Sequence, residues 1–202
     1  MMLHVSERKH LYAFLARLFS YPDLELTAAL QKGEAVEVGS LLLTTPAPPA
    51  TFSSTVELEV AYTDLFISRL GGAPAPPYGS VYLERDERLM GQTSLHVAAA
   101  YRAEGLSLEG SGEPPDFLPT ELEFLYYLVE QEEQALGRRD LPAAGKAVEQ
   151  QASFCRTLLH PWMPTFCGRI EADGQAHPLY HWAAGLLREF CRQEREWLER
   201  MV

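Results

Sequence analysis

Residues 113–128 read EPPDFLPTELEFLYYL, and this run decides how the rest of the chain is read. Asp116 stands where a helix N-cap belongs, and Pro119 falls in the first turn, where a missing N–H does no harm. Leu118, Leu122, Leu125 and Val129 then recur at three- and four-residue intervals, so one face of a long helix is apolar and buried. Outward from this helix the same period returns in nearly every long segment, and sustained apolar-polar alternation appears nowhere. The expected fold is all-α: a single helical domain of about ten helices.

Upstream, residues 105–115 carry three glycines and two prolines without periodicity, which predicts a hinge between an N-terminal half, 1–104, and a C-terminal half, 116–202. Such a hinge admits either a monomer or a domain-swapped dimer. In the first half, Ser6 can cap a helix carrying Leu11, Phe14, Leu15, Leu18 and Phe19 up to the Tyr21-Pro22 break. Asp23 can cap a second helix that stops near Gly33. A proline-rich loop over 44–50 leads to a third helix over 53–70, ended by Gly71-Gly72. Residues 73–78 hold three prolines and no helical pattern, and a helix over 84–104 follows. In the second half, helices are expected over 143–159 and 181–202, separated by an irregular stretch from 161 to 178.

The 202 residues are 47% hydrophobic and 22% charged, enough to bury a sizeable core. Apolar runs are too short to cross a membrane, and residues 1–20 carry charges where a secretory signal needs an apolar stretch. Cys155, Cys167 and Cys191 are odd in number and form no C-x-x-C pair, which argues against a disulfide framework. The expected location is the cytoplasm. A net charge of -11 repels nucleic-acid phosphates, so no nucleic-acid partner is expected. The excess is concentrated: residues 106–150 hold 10 acids against 3 bases, and no Lys or Arg occurs from 103 to 137. A one-signed field of this kind favours a cationic partner.

No catalytic motif stands out. Lys9, Lys32 and Lys146 lack the context of a phosphate-binding loop, and no activated serine or cysteine nucleophile is signalled. A di-iron helical bundle needs two Glu-x-x-His pairs, and only Glu7 to His10 matches. His177 and His181 are four apart with Cys167 nearby, but Pro178 intervenes and no second cysteine stands at ligand spacing. Surface or capping roles are the plainer reading of these histidines. No catalytic residue, metal or resident cofactor is therefore expected. The competing reading is a metal-dependent hydrolase built on His160, Cys167, His177 and His181; a third is a regulatory protein of the same fold.

Aromatics cluster beside the acidic segment. Tyr62, Leu65 and Phe66 lie on the third helix, and Pro77, Tyr78, Ser80 and Tyr82 follow in the next loop. Rings at helical spacing are ordinarily core, but tyrosines in a proline-rich loop offer an amphipathic surface suited to a peptide.

Four runs, YTDLF at 62–66, PPYGSVYLE at 76–84, EPPDFLPTELEFL at 113–125 and HPWMPTF at 160–166, resemble in order and spacing the TorD/DmsD family of cytoplasmic molybdoenzyme chaperones. The resemblance spans most of the chain, and its most specific part is E-P-x-D after the glycine-rich segment. It implies an all-helical, non-enzymatic protein that binds the twin-arginine signal peptide and apoprotein of a molybdopterin oxidoreductase, of the DMSO or TMAO reductase kind. Binding would accompany cofactor insertion before Tat export, with membrane contact only indirect, through the export pathway. The expected peptide-binding residues are Tyr62, Leu65, Phe66, Pro77, Tyr78, Ser80, Tyr82, Glu113, Pro114, Asp116, Phe117 and Glu121, of which Glu113 and Asp116 carry over from the family motif by identity. The family's usual histidine after the motif aspartate is here Phe117, so a titratable ring is replaced by an apolar one. Carboxylates flanked by aromatics suit two adjacent guanidinium groups followed by an apolar stretch.

Overall fold

The computed structural model describes residues 3–42, 46–49, 54–84, 91–108 and 112–202. The first residue of the expected third helix, Ser53, lies outside them, as do parts of the 44–50 loop, residues 85–90 of the expected 84–104 helix and residues 109–111 of the hinge.

Among the described residues the regular structure is helical. It comprises α1 (Val5–Leu18), α2 (Leu24–Gln31), α3 (Glu34–Ser40), α4 (Thr55–Tyr62), α5 (Gly79–Leu83), α6 (Gln92–Ala103), α7 (Leu118–Gly137), α8 (Leu141–Phe154), α9 (Met163–Ala172) and α10 (Pro178–Met201). The sole β-type pairing among them is an isolated antiparallel bridge between Tyr78 and Phe117.

The stripe that opened the sequence reading is the centre of the core. Leu118, Leu122, Leu125, Leu128 and Val129 of α7 are fully buried, each contributing roughly 1.5–3 kcal/mol of apolar burial. On one side α7 packs against α1, whose Leu11, Leu15 and Leu18 are equally buried; on the other it packs against α8. α10 closes the bundle against α9 and α1. Because α1 belongs to the first half and α7 to the second, the halves share one core across the glycine-rich segment.

Several helix ends differ from expectation. His4, not Ser6, caps α1: its ring accepts the Ser6 N–H, and Glu7 reaches back to the His4 N–H. Asp23 caps α2 as expected, accepting from Leu26 N at 2.7 Å. Asp140 caps α8, which starts at Leu141 rather than 143, and His177 caps α10, which starts at Pro178 rather than 181. Within the stretch expected to be irregular, 161–178, lies α9; α3 and α5 were not anticipated either. Asp116 does not cap α7. The residue preceding α7 is Phe117, and no side chain caps that end.

The third and the 143–159 helices hide a further departure. Each ends in a widened turn closed by an i+5 hydrogen bond, Ser68 N to Thr63 O and His160 N to Cys155 O, both 2.8 Å. Such π-turns insert one residue into the helical repeat and re-aim the side chains that follow.

A buried ion network ties four helices together. Arg8 of α1, 1% exposed, donates from Nε and Nη2 to Glu194 of α10, from Nη1 to Glu132 of α7 at 2.9 Å, and from Nη2 to Gln151 of α8. Tyr12 Oη donates to the same Glu194 at 3.0 Å, and Trp197 stacks 3.6 Å beneath the guanidinium. Burial opposes the charge, but Glu194 and Glu132 outweigh it and hold the Arg8 guanidinium above its ordinary range. The acidic segment is therefore less one-signed than its sequence. Glu132 is neutralised in the core, Glu133 pairs with Lys9, and Asp116 and Glu121 are buried.

Candidate functional site

The site grows from the Tyr78–Phe117 bridge. Phe117 and Leu118 run antiparallel to Pro77 and Gly79, with Leu118 N donating to Pro77 O and Gly79 N to Asp116 O, both at 2.9 Å. Beneath the bridge Asp116 is fully buried, and its carboxylate accepts from Ser80 N at 2.7 Å and from Ser94 Oγ. Asp116 thus caps α5 in trans and fastens α6 to it. A carboxylate satisfying a buried N–H and a buried hydroxyl is a strong, charge-assisted tie. Tyr101 Oη adds a bond to Pro115 O at 2.9 Å.

This platform holds two rings together, Tyr78 and Phe117, 5.4 Å apart and tilted by 31°. Tyr78 Oη donates to Glu113 Oε2 at 2.9 Å, and burial together with Glu113 pushes the Tyr78 phenol well above its usual value. Opposite them stand Tyr62 and Phe66, 4.9 Å apart, with Tyr21 edge-on to Tyr62. Tyr62 Oη donates to Phe19 O at 3.0 Å. Between these walls is a cavity of about 320 Å³ lined by aromatic and apolar side chains, with the Glu113 carboxylate at its edge. Past Tyr21 a shallower depression of about 330 Å³ continues along α4 over Val60 and Asp64.

Six of the twelve residues expected from the sequence line this cavity: Tyr62, Phe66, Pro77, Tyr78, Glu113 and Phe117. The other six are elsewhere. Leu65 is core; Ser80 and Asp116 are the tie beneath the bridge; Pro114 accepts the Phe117 N–H behind it. Tyr82 stacks on Trp162, with the Arg169 guanidinium 4.6 Å from its ring centre. Glu121 is fully buried, and burial followed by the nearby Asp116 pushes its carboxyl well above the usual range. The Trp162 indole N–H tempers that shift without reaching hydrogen-bonding geometry. Sequence reading missed Tyr21 and Ile67. Tyr21, an aromatic stranded before Pro22 and half-exposed, was the available signal; Ile67 had none, because it sits at the end of a π-turn.

The competing constellation is dispersed. His177 Nε2 is 3.1 Å from Glu57, His181 Nε2 is 3.1 Å from Asp173 O, Cys167 is buried in the core, and His160 lies at the far end of α8. Among the described residues no three His, Cys, Asp or Glu side chains converge as a metal would require. Nor is any described helix long and apolar enough to cross a membrane.

Residues 41–168 match the family described as the nitrate reductase delta subunit. The chain is 30% identical to the chaperone protein TorD of Vibrio vulnificus over 71% of its own length, spanning 65% of that protein. It is 31% identical to the selenate reductase assembly chaperone protein of Thauera selenatis over 90% of its length and 86% of the relative's. A crystal structure from Archaeoglobus fulgidus, described as a redox enzyme maturation protein, superimposes with a TM-score of 0.57 at 28% identity, covering 98% of this chain and 96% of the other. With the helical fold and the E-P-x-D platform in place, these matches establish that the chain belongs to the TorD family.

Proposed function

We propose that this chaperone binds the twin-arginine signal peptide and apoprotein of a molybdopterin oxidoreductase in the cytoplasm, during cofactor insertion and before Tat export. The observation that carries this reading is the cleft itself: an aromatic and apolar cavity with a carboxylate at its edge. A guanidinium pairs with Glu113 and packs on the Tyr78 ring, combining a charge-assisted bond with a cation–π contact. An apolar residue that follows enters between Tyr62, Phe66 and Phe117. The rest of the apolar stretch runs past Tyr21 toward exposed Val60 and Ile67. Phe117, in place of the family's histidine, presents an apolar ring on its wall. Leu65, Ser80, Pro114, Asp116 and Glu121 act in this scheme by holding the walls in place, and Tyr82 by anchoring α5 to Trp162.

The test is titration calorimetry with a synthetic peptide bearing the two arginines and the apolar stretch, at low and high salt. Charge attraction is screened over about 10 Å at 0.1 M ionic strength, whereas apolar burial persists, so affinity should fall with salt without vanishing. Because Glu113 is exposed, Glu113→Gln should weaken binding only by roughly two- to five-fold. Absence of binding at both salt concentrations would sink the proposal.

A further inference from the structure

On α8 and α10, away from the Tyr78–Phe117 platform, lies a second cleft of about 510 Å³. Its floor is apolar, with Cys155 and Leu198, and its walls carry Arg156, Arg195, His160 and one acid, Glu199. On a chain of net charge -11 this is an unusual concentration of guanidinium groups. Neither Arg156 nor Arg195 forms an ion pair with a described residue, although Glu199 is only one turn from Arg195. His160 faces the same space. The residue is 5% exposed, and its Nε2 is buried without a hydrogen-bond partner. Buried polar atoms are nearly always satisfied, so an orphan nitrogen lining a cleft marks a bond that the protein leaves to something else. The π-turn over Cys155–Leu159 produces this arrangement: its extra residue carries the chain past Arg156 and turns His160 inward at the closing i+5 bond.

We propose that this cleft binds a small amphiphilic anion, with a carboxylate or phosphate head between Arg156, Arg195 and His160 and a short apolar body on Leu198 and Cys155. The head supplies acceptors for two guanidinium forks and a partner for His160 Nε2. Burial, and secondarily Arg195, lower the His160 imidazole to about 4, so the ring is neutral when the cleft is open. A bound anion would counter the repulsion from Arg195 and offer the ring a partner for its proton. The floor rejects a bare, strongly hydrated ion, since it offers apolar surface where such an ion would need water.

Hexyl phosphate, hexanoate and inorganic phosphate, titrated by calorimetry into the full chain, separate head from body. At least one hexyl probe should saturate, and preference between the two identifies the head as phosphate or carboxylate. Inorganic phosphate should bind much more weakly. Arg156 and Arg195 are exposed and their replacement leaves the core intact, so Arg195→Gln and Arg156→Gln should each fold and each weaken the hexyl probe about ten-fold or more. The His160 ring resonances should shift on titration in the parent. The twin-arginine peptide should bind both variants as it binds the parent, which keeps this cleft's fate separate from that of the peptide site. No saturation by any probe would overturn the proposal. So would binding unchanged in both arginine variants, or inorganic phosphate binding as tightly as its hexyl ester.

Discussion

An arginine with 1% of its surface exposed survives only because its neighbours are arranged around it, and Arg8 shows the asymmetry that follows. A buried ion pair contributes little net stability over an apolar replacement, yet removing one partner strands the other charges. Arg8→Met should therefore leave Glu132 and Glu194 uncompensated and cost about 3–5 kcal/mol. For a chain of this size that corresponds to a melting temperature lower by roughly 10 °C, read by circular dichroism. Arg8→Lys should recover only part, since an ammonium lacks the fork that serves Glu194, Glu132 and Gln151 together. Glu121 makes the opposite forecast. Its folded pKa is raised above the ordinary 4.5, so the folded state holds a proton that the unfolded chain releases, and stability falls as pH rises above about 4.5. His160 acts in the other sense. Its folded value of about 4 lies below the ordinary 6.5, so its contribution is complete above 6.5 and is lost as pH falls toward 4. The two oppose one another as pH rises from 4.5 toward 6.5. Glu121→Gln should then be at least as stable as the parent at pH 7, and its melting temperature should fall less than the parent's as pH rises from 4.5 to 7. An unchanged decline in the variant would show that Glu121 is ionised in the folded protein.

Among the elements, α5 has only five residues and no cap of its own, so its stability depends on what Asp116 supplies from across the bridge. Asp116→Asn retains an acceptor for Ser80 N and can donate its amide to Ser94 Oγ, so thermal stability should drop by no more than about 1 kcal/mol. Asp116→Ala leaves the buried Ser80 N–H unsatisfied and should cost about 1–3 kcal/mol, loosening the Tyr78–Phe117 wall and weakening peptide binding with it. Equal stability of the two variants, measured by urea denaturation, would remove the trans cap from the account. Asp116 also shows where sequence reading stops. Its capping chemistry was legible, but the helix it serves was not, because the Ser80 N–H that it accepts stands 36 residues earlier in the chain. The long apolar stripes of α1, α7 and α10 were readable because their period repeats over several turns. The π-turns were not, since an i+5 bond has no residue signature and a local slip of one position looks like ordinary helix in sequence. Both clefts border such a turn, Phe66 and Ile67 on one, Cys155 and Arg156 on the other. Six of the eight residues that line the cavity stand among those expected, four of them aromatic rings that marked the place in sequence. The Arg8 network escaped because its members come from four helices and nothing local in the sequence pairs them.

At the scale of the whole molecule, the glycine-rich segment over 105–115 joins halves that are not separable. α1 lies along α7, Arg8 reaches Glu132, Gln151 and Glu194 beyond the segment, and the apolar core runs continuously through both halves. An exchange of α7 to α10 between two copies would therefore have to break the α1–α7 face and expose Arg8 and its carboxylates before any new contact formed. The barrier to such an exchange is close to that of unfolding, whose rate rises three- to six-fold per 10 °C by the usual scale. Purified monomer held at 25 °C should accordingly stay monomeric for days on size-exclusion chromatography. Refolding from urea at high concentration should yield a dimer that, once diluted, reverts at about the unfolding rate. Arg8→Met, which weakens the face that must open, should speed both conversions by lowering the barrier. If monomer and dimer instead interchange within minutes under native conditions, the segment over 105–115 opens without disturbing the α1–α7 face, and the dimer is held by surface contacts rather than by exchanged helices.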